Sequence, residues 1–329
     1  MSAPFMADDL PVLSIVSPAF NEGEALPRFH DELMRAIESL GGEFQVEIIY
    51  VDDGSHDGTL AVLRYLAATD DRVRYLSLSR NFGHQAALTA GLEHARGDAV
   101  ITLDCDGQHP PKLIPTLVEL WRAGHDVVLT IRAADRRLGW FKRATSAVFY
   151  RLLRRWTVLQ VRAAASDFRL LSRKATDALL QLREAHRFLR GMVQWLGFSV
   201  AEAPFTPSPR VGGVSKYTLG KMVRLAGDGL FSFSRVPLRL CVLAGLAATG
   251  LSFLASTAAA VFHRGPVDPL MVALLVAVHI VGAGILAALA VLGEYVGRIH
   301  DESKNRPLYL IKESYPPAAW PFSGGIRAA

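Results

Sequence analysis

Cysteine is scarce in this sequence: only Cys105 and Cys241 occur among its 329 residues. The first lies in an acidic motif and the second in a long apolar run, so we expect no disulfide between them, and no cysteine-based zinc pattern exists. Residues 1–9 are acidic and have no apolar core, which argues against a secretory signal peptide. A disulfide-framed secreted protein is therefore not predicted.

Two common phosphate-binding fingerprints are also missing. No G-x-G-x-x-G motif follows the first predicted strand, and no G-x-x-x-x-G-K-[ST] motif occurs anywhere in the chain. The sequence therefore argues against a hydride-transferring dehydrogenase and against a P-loop nucleotidase.

Charge is absent from two long stretches. Residues 240–262 carry none, and His279 is the only titratable group in residues 269–293. Each stretch exceeds the roughly 20 residues that a helix needs to cross about 30 Å of hydrocarbon. We therefore predict a two-helix transmembrane hairpin within residues 236–295, with a pair of buried core helices as the alternative.

Basic residues that flank this hairpin predict its orientation. Arg235 and Arg239 lie at the start of the first stretch, and Arg298 and Lys304 follow the second. Because basic flanks stay on the cytoplasmic side, both termini and the large N-terminal region should be cytoplasmic, at the plasma (inner) membrane. The net charge of +5 beside two apolar spans favours contact with anionic lipid and not with nucleic acid.

The N-terminal region alternates short β-rich runs with amphipathic helical stretches, which predicts an α/β fold with a mostly parallel sheet flanked by helices. The predicted strands are residues 12–17, 46–52, 73–78, 99–103, 127–130, 166–172 and 198–203. The predicted helices are residues 25–40, 59–68, 84–95, 112–121 and 182–195. The predicted division is a tail (1–11), an α/β domain (12–216), a juxtamembrane helix (217–235), the hairpin (236–295) and a cytoplasmic tail (296–329).

Polar side chains follow each of the first five predicted strands. In parallel sheets, ligands bind beyond the carboxyl ends of the strands, so these side chains should share one site. They are Asn21, Glu22, Asp53, Ser55, Asn81, Asp104, Asp106 and Arg132.

The acidic motif at residues 104–106 is the centre of this predicted site. In an extended segment, side chains two positions apart point the same way, so Asp104 and Asp106 should project together. Two convergent carboxylates repel each other unless a cation lies between them, and a hard divalent cation with open positions for phosphate oxygens fits. The alternative is an ordinary Asx turn that closes the strand.

Two basic segments are predicted to bind anions. Residues 138–157 combine an apolar stripe with basic residues, as interfacial helices on anionic lipid do, or they form an ordinary basic surface helix. Residues 206–217 form a glycine-containing loop in which Arg210 and Lys216 could bind phosphate; the alternative is a plain linker.

Six short motifs, taken in order, resemble the family 2 glycosyltransferases, and among them the membrane-bound polyprenyl-phosphate glycosyltransferases. They are SPAFNE (17–22), VDDGSHDGT (51–59), NFGHQ (81–85), DCDGQHPP (104–111), SDFRL (166–170) and RVGGVSK (210–216). The resemblance spans about residues 12–220, and it implies a GT-A-type nucleotide-sugar-binding domain.

The resemblance also implies roles for individual residues. Nucleotide-sugar binding is implied for Pro18, Asn21, Glu22, Asp53, Ser55, Asn81, Gln85 and Asp104. Phosphate binding is implied for Arg132, Arg210, Ser215 and Lys216. Asp104 and Asp106 would hold Mg²⁺ or Mn²⁺, and the catalytic residues would be Asp106, Gln108 and Asp167. Asp167 is either a general base or a positioning residue.

The implied reaction is inverting transfer of a hexose from a nucleotide diphosphate sugar to polyprenyl phosphate. A carboxylate at Asp53 can accept the N3–H of uracil, which favours UDP, and UDP-glucose is the predicted donor. UDP-N-acetylglucosamine, a UDP-aminoarabinose and GDP-mannose are alternatives, and a non-catalytic membrane scaffold is the alternative of another class. A homo-oligomer is left open.

Overall fold

The computed structural model describes residues 10–132, 165–185, 187–206, 236–262 and 268–316. These residues fall into two units. One unit holds an eight-stranded sheet with its helices, and the other holds two long apolar helices.

The first half of the chain alternates strands and helices, as the sequence predicts. The elements are β1 (Val12–Ala19), α1 (Leu26–Glu38), β2 (Gln45–Asp52), α2 (Thr59–Thr69), β3 (Val73–Leu78), α3 (His84–His94), β4 (Ala99–Thr102), a short 3₁₀ helix (Pro111–Leu113), α4 (Ile114–Arg122) and β5 (Val127–Arg132). Apolar residues such as Leu26, Phe29 and Leu33 recur at helical spacing and bury one face of α1 against the sheet.

The second half matches the predicted elements only in part. It contains β6 (Ala165–Ser172), α5 (Arg173–Gln181), α6 (Leu189–Trp195), β7 (Val200–Phe205), α7 (Val236–Phe262), α8 (Pro269–Ser303) and β8 (Ile311–Tyr315). The prediction of one helix over residues 182–195 is wrong in extent, because α6 begins only at Leu189. The helix α5 was not predicted; it starts where the Ser172 hydroxyl accepts the Ala175 N–H as an N-cap.

The sheet has the strand order β7-β5-β6-β4-β1-β2-β3-β8. Parallel pairs join β1 to β2 and β4, β2 to β3, and β5 to β7. However, β6 pairs antiparallel with β4 and β5, and β8 pairs antiparallel with β3. The predicted mostly parallel sheet is therefore a mixed one, because β6 and β8 return to the sheet from outside the βαβ succession.

Helices cover both faces of the sheet. Residues of α1, α2 and α4 form one buried cluster with one face of the central strands, whereas α3 packs on β1 and β2, and α5 and α6 pack on β6. Gly91 in α3 illustrates how close this packing is, because a Cβ there would lie 2.2 Å from Val16 Cγ1. The α/β architecture thus places the carboxyl ends of β1 to β5 along one edge of a sheet that has helices on both faces.

The second unit consists of α7 and α8, which pack against each other. Within the described residues, one helix is long and apolar enough to cross a membrane by length and composition, residues Leu270–Ser303, in which an 18-residue stretch has a mean hydropathy of 2.6. The apolar part of α7, Leu240–Leu254, is too short to meet the same length criterion. The structure therefore describes one candidate span, and the predicted two-span hairpin stays a prediction.

The chain after α8 differs most from expectation. The sequence assigns residues 296–329 to a cytoplasmic tail, whereas Ile311–Tyr315 forms β8 at the edge of the sheet, paired with β3. The three central residues, Lys312, Glu313 and Ser314, are polar and give little local strand signal. The strand forms because β3 supplies its hydrogen-bond partners.

Candidate functional site

The candidate site lies at the edge of the sheet where β1 to β5 end. Since β6 runs antiparallel to β4, its first residues reach the same edge. Two buried hydroxyls fasten it there: Thr102 Oγ1 donates to the Asp167 carbonyl at 2.5 Å, and Thr130 Oγ1 donates to the Phe168 carbonyl at 2.7 Å. This inserted strand brings Asp167 beside the acidic motif, from about sixty positions further along the chain.

The acidic motif keeps its alternation beyond the end of β4. Cys105 is buried and its Sγ lies 3.3 Å from the Pro18 carbonyl oxygen, while Asp104 and Asp106 on either side are half-buried. A buried residue between two half-buried acids is the pattern that the predicted common projection of the carboxylates requires, and the projection itself stays a prediction. Pro18, a predicted nucleotide-binding residue, is buried in β1 and supplies the carbonyl oxygen that Cys105 contacts.

The buried side chain of His109 is hydrogen-bonded to the backbone of the acidic motif. His109 Nδ1 accepts the Asp104 N–H at 3.0 Å, and its Nε2 lies 2.7 Å from Ser166 Oγ. Because Nδ1 is an acceptor, Nε2 carries the proton and donates it to Ser166. Burial lowers the pKa of His109, although Asp104 opposes this shift, so the neutral imidazole is the stable form.

Asp106, Gln108 and Arg132 form a chain of contacts. Asp106 Oδ1 accepts the Gln108 N–H at 3.0 Å across Gly107, whose φ is +81°. Arg132 Nη2 lies 3.4 Å from Gln108 Oε1. One oxygen of Asp106 thus closes the Asx turn that the sequence offered as an alternative, and the turn brings three predicted site residues together.

The acidic pair fits a divalent cation in its donor chemistry. Asp104 Oδ1 is buried and accepts no hydrogen bond, which is costly for a carboxylate oxygen unless a ligand completes it. In the part of the chain that the structure describes, no group of three or more His, Cys, Asp or Glu converges on a metal position. Two carboxylates would suit an ion that takes its other oxygens from phosphate and water, as Mg²⁺ commonly does.

Three cationic side chains surround Asp167. Its Oδ1 accepts from Arg169 Nη2 at 2.9 Å, and its Oδ2 accepts from Arg190 Nη2 at 2.5 Å. His84 Nε2 lies 3.5 Å from Asp167 Oδ2 and 3.6 Å from Asp104 Oδ1, so the imidazole joins the two carboxylates. We call Asp167, His84, Arg169 and Arg190 the Asp167 cluster.

These contacts set the charges of the cluster. Burial alone would raise the pKa of Asp167, but Arg190, His84 and Arg169 hold that pKa well below its usual value. Desolvation lowers the pKa of His84, yet Asp104 and Asp167 outweigh it and raise the pKa to about 9. At neutral pH Asp167 is therefore ionised and His84 is protonated.

Asp53 holds the loop after β3. It is buried, and its carboxylate accepts the N–H groups of Phe82 at 2.7 Å and Gly83 at 3.0 Å. Burial raises the pKa of Asp53, and these two N–H groups lower it by less. A carboxylate has capacity for further donors, so the predicted contact with uracil stays a prediction beside this observed loop-holding role.

Other predicted nucleotide-binding residues also hold loops together. The Asn21 N–H donates to Ser55 Oγ at 2.9 Å, and Asn21 Oδ1 accepts the His56 N–H at 2.9 Å. The Glu22 N–H donates to Thr59 Oγ1 at 2.9 Å. These bonds join the loop after β1 to the loop after β2, and Asn21 accepts the positive φ of +53° that this requires.

Gln85 and Asn81 lie on either side of the start of α3. Gln85 Oε1 accepts the Leu189 N–H at 3.1 Å, which ties α3 to α6. Asn81 is exposed, and its carbonyl accepts from Arg80 Nη1 at 3.1 Å. Arg210, Ser215 and Lys216 lie outside the described residues, as do the predicted interfacial helix (138–157) and juxtamembrane helix (217–235).

Sequence reasoning missed three of the residues that shape the site: His84, His109 and Arg190. His84 and His109 lie inside the motifs NFGHQ and DCDGQHPP, so their position in a motif was an available signal. Arg190 lies 23 positions beyond its partner Asp167 on a different element, and no local pattern marks it.

Comparison with known proteins agrees with this architecture. The family model "Glycosyl transferase family 2" matches residues 14–180. The bactoprenol glucosyl transferase of Shigella phage SfII is 39% identical over 305 residues, covering 92% of this chain and 98% of the relative. The uncharacterized glycosyltransferase YkcC of Bacillus subtilis (strain 168) is 37% identical over 305 residues, covering 92% and 94%.

Among solved structures, the mannosyltransferase PcManGT from Pyrobaculum calidifontis, in complex with GDP-Man and Mn²⁺, is 15% identical and covers 92% of this chain and 83% of its own. Its TM-score of 0.43 describes only a loose overall likeness. The relatives named above are more similar in sequence to this chain, at 37% and 39% identity. Since the family model spans about half of the chain and relatives more than a third identical extend over nearly all of it, the chain belongs to the family 2 glycosyltransferases.

Proposed function

We propose that this protein transfers a hexose, with glucose favoured, from a UDP-sugar to polyprenyl phosphate at the cytoplasmic face of the membrane. The observation that carries the proposal is the meeting of the acidic motif, the Gln108–Arg132 contact and the Asp167 cluster at one edge of the sheet. Relatives named bactoprenol glucosyl transferase, 39% identical over most of the chain, support both the acceptor and the sugar.

Asp104 and Asp106 would hold Mg²⁺ or Mn²⁺. When bound, the ion supplies positive charge that offsets the charge on the departing diphosphate. Asp104 Oδ1 is buried and accepts no hydrogen bond, although His84 Nε2 lies 3.6 Å from it, and this supports the assignment. The burial of Cys105 between the two half-buried acids supports it as well.

Cationic side chains would bind the phosphates beside this pair. Arg132 lies at the end of β5 and contacts Gln108, which places a guanidinium next to the acidic motif. Guanidinium groups bind phosphate oxygens in a bidentate manner. Arg210, Ser215 and Lys216 are proposed to bind the same phosphates from the loop at residues 206–217, which lies outside the described residues.

The charge state of Asp167 favours positioning over proton abstraction. A base works best with a pKa near the operating pH, whereas three cations hold the pKa of Asp167 far below it. The acceptor needs no strong base, because a phosphate monoester already carries a charge of about −1.5 to −2 at neutral pH. Attack by this anion at the anomeric carbon, in line with the departing diphosphate, inverts the configuration.

The apolar helices α7 and α8 would hold the enzyme at the membrane, where its lipid acceptor is located. A polyprenyl tail stays in the bilayer because each buried methylene contributes about 0.8 kcal/mol. The outward-facing leucines of α8, such as Leu274 and Leu286, are 63% and 69% exposed and suit contact with lipid. We propose that α7 and α8 form a two-span hairpin with both termini in the cytoplasm.

A donor panel tests the proposal. Membranes that contain the protein, polyprenyl phosphate and Mg²⁺ or Mn²⁺ receive labelled UDP-glucose, UDP-N-acetylglucosamine, a UDP-aminoarabinose or GDP-mannose. We expect organic-extractable label from UDP-glucose. If only another donor gives label, the sugar of that donor is the substrate and glucose is not. Donor binding without any label transfer would support a non-catalytic scaffold.

A further inference from the structure

The residues that follow α8 contact the sheet and its helices through side chains as well as through the backbone pairing of β8 with β3. Glu313 in β8 forms a bidentate ion pair with Arg64 of α2, at 2.8 Å to Nε and 2.6 Å to Nη2. The same carboxylate accepts the Tyr75 hydroxyl of β3 at 2.6 Å. The Tyr315 ring stacks on the Tyr75 ring with centroids 6.2 Å apart.

These contacts continue toward the candidate site. The Leu310 carbonyl accepts the Ser79 N–H at 2.8 Å, just beyond the end of β3. The Tyr309 hydroxyl is hydrogen-bonded to Glu93 near the end of α3. Residues 309–315 therefore hold both the strand before the loop 79–83 and the helix after it.

The loop 79–83 is itself part of the site. Its Phe82 and Gly83 N–H groups bind the Asp53 carboxylate, and the next residue, His84, joins Asp104 to Asp167. A Cβ on Gly54 would lie 2.4 Å from the Arg80 carbonyl carbon, so the loop is in close contact with the loop after β2. A shift of a few tenths of an ångström in loop 79–83 would therefore move both Asp53, which the loop binds, and His84, which follows it.

We propose that the C-terminal segment 309–315 is a positioning element for the donor site, which acts by fixing loop 79–83 and with it Asp53 and His84. The inference rests on the proposed function, because it assumes that Asp53 and His84 face the nucleotide sugar. Glu313 and Tyr309 are thus positioning residues that touch no substrate. An alternative is that β8 only covers the edge of β3 against pairing with other chains.

The alternative predicts a different result in the same experiment. If β8 only covers an edge, loosening it would speed amide exchange in residues 309–315 and along β3 but leave the donor site unchanged. If it positions the loop, the effect must reach Phe82 and Gly83 and weaken nucleotide binding.

The experiment uses the full-length protein and the double variant E313Q/Y309F, which keeps the size of both side chains. The matched control is E43Q, which breaks another exposed Arg–Glu pair, between Glu43 in the loop after α1 and Arg122 of α4. The readouts are amide hydrogen exchange of residues 79–83, the Kd of UDP with Mn²⁺, and the donor KM and kcat of label transfer.

We expect exchange of residues 79–83 to rise about tenfold in E313Q/Y309F. The Kd of UDP with Mn²⁺ and the donor KM should rise about three- to tenfold, with kcat within about twofold. E43Q should match the wild type in all four quantities. The charge-reversed pair R64E/E313R should restore part of the exchange protection, because it re-forms the ion pair.

Wild-type exchange at Phe82 and Gly83 in E313Q/Y309F, or a fall in kcat with unchanged KM, would overturn the inference. The exchange measurement does not depend on any reaction. A wild-type protein that transfers no label while its loop still responds to E313Q/Y309F would therefore contradict the proposed function and leave the coupling of the segment to the loop supported.

Discussion

Asp167 is only 2% exposed and lies among three cationic side chains, so its charge is costly to bury and strongly compensated. Removing one partner of such a group leaves another charge buried without compensation. Asp167 therefore stabilises the charged forms of Arg190 and His84 as much as they stabilise its own. The effects of substitutions in this cluster on activity should not be additive.

The first prediction follows from this coupling. Asp167→Asn and Arg190→Met should each lower kcat/KM for label transfer by about 10- to 100-fold, and the double variant should be no worse than the more damaging single one. Thermal unfolding identifies variants that fail to fold. Effects that multiply in the double variant would favour an independent role for Asp167 as a base.

The second prediction concerns the acidic motif. Asp106→Ala should reduce transfer by about a hundredfold or more, because the charge of the departing diphosphate would lose its counter-ion. Membrane insertion, measured by the fraction that resists carbonate extraction, should be unchanged. Turnover at the wild-type rate with metal still bound would refute the assignment of Asp106 as a ligand.

The sequence predicted the carboxylates of the site better than their partners. Asp104 and Asp106 follow directly from an apolar run, so their position beyond the carboxyl end of a strand could be inferred from the local pattern. Arg190 could not be inferred, because its contact with Asp167 depends on how α6 packs against β6. Packing between distant elements leaves no periodic signal at either residue.

At the scale of elements, α3 lies so close to β1 that position 91 of α3 has room only for glycine. A Cβ at Gly91 would meet Val16 Cγ1 at 2.2 Å and Val51 Cγ2 at 3.2 Å. This contact matters for the site, since α3 begins at His84 and its direction determines where that imidazole lies.

The third prediction tests this contact. Gly91→Ala should destabilise the protein by about 1–3 kcal/mol through overpacking, measured by denaturant unfolding in detergent. Gly58→Ala is the control, because a Cβ at Gly58 meets nothing within 4 Å, and its effect should stay within about 0.5 kcal/mol. Equal effects of the two substitutions would show that α3 can move away from β1.

The fourth prediction concerns β8 and pH. Hydrogen bonds from Arg64 and Tyr75 lower the pKa of Glu313 from 4.5 to about 2. The folded-state pKa is depressed, so the stabilisation is present above about pH 4.5 and is lost as the pH falls toward 2.

We expect Glu313→Gln to be less stable than the wild type by about 1 kcal/mol at pH 7, since the pair is partly exposed and screened. That difference should shrink between pH 4.5 and 2, as measured by denaturant unfolding at several pH values. A difference that is independent of pH would mean that the Glu313 charge contributes nothing.

At the scale of the whole molecule, the apolar surface of α8 is the feature to test. The fifth prediction is that Leu286→Arg lowers the carbonate-resistant membrane fraction, because an Arg at the centre of a spanning helix costs about 2.5–3.5 kcal/mol. Tyr65→Arg is the matched control, since Tyr65 is equally exposed, at 68%, but belongs to the sheet unit. An unchanged membrane fraction in Leu286→Arg would argue against α8 as a span.

The sequence by itself determined the alternating strands and helices of the first half, the position of the acidic pair beyond the end of β4 and the apolar length of α8. Each depends on interactions between residues a few positions apart, such as side-chain alternation, helical spacing and the length of a hydrophobic run. These interactions are similar in any fold that contains the segment.

Only the tertiary structure decided the mixed sheet, the Asp167 cluster and the return of β8 to β3. Those features join residues that are tens to hundreds of positions apart, such as Arg64 and Glu313. Which strand edge or buried charge meets which partner depends on the packing of the whole domain, because the partner alone supplies the hydrogen bonds and the compensating charge.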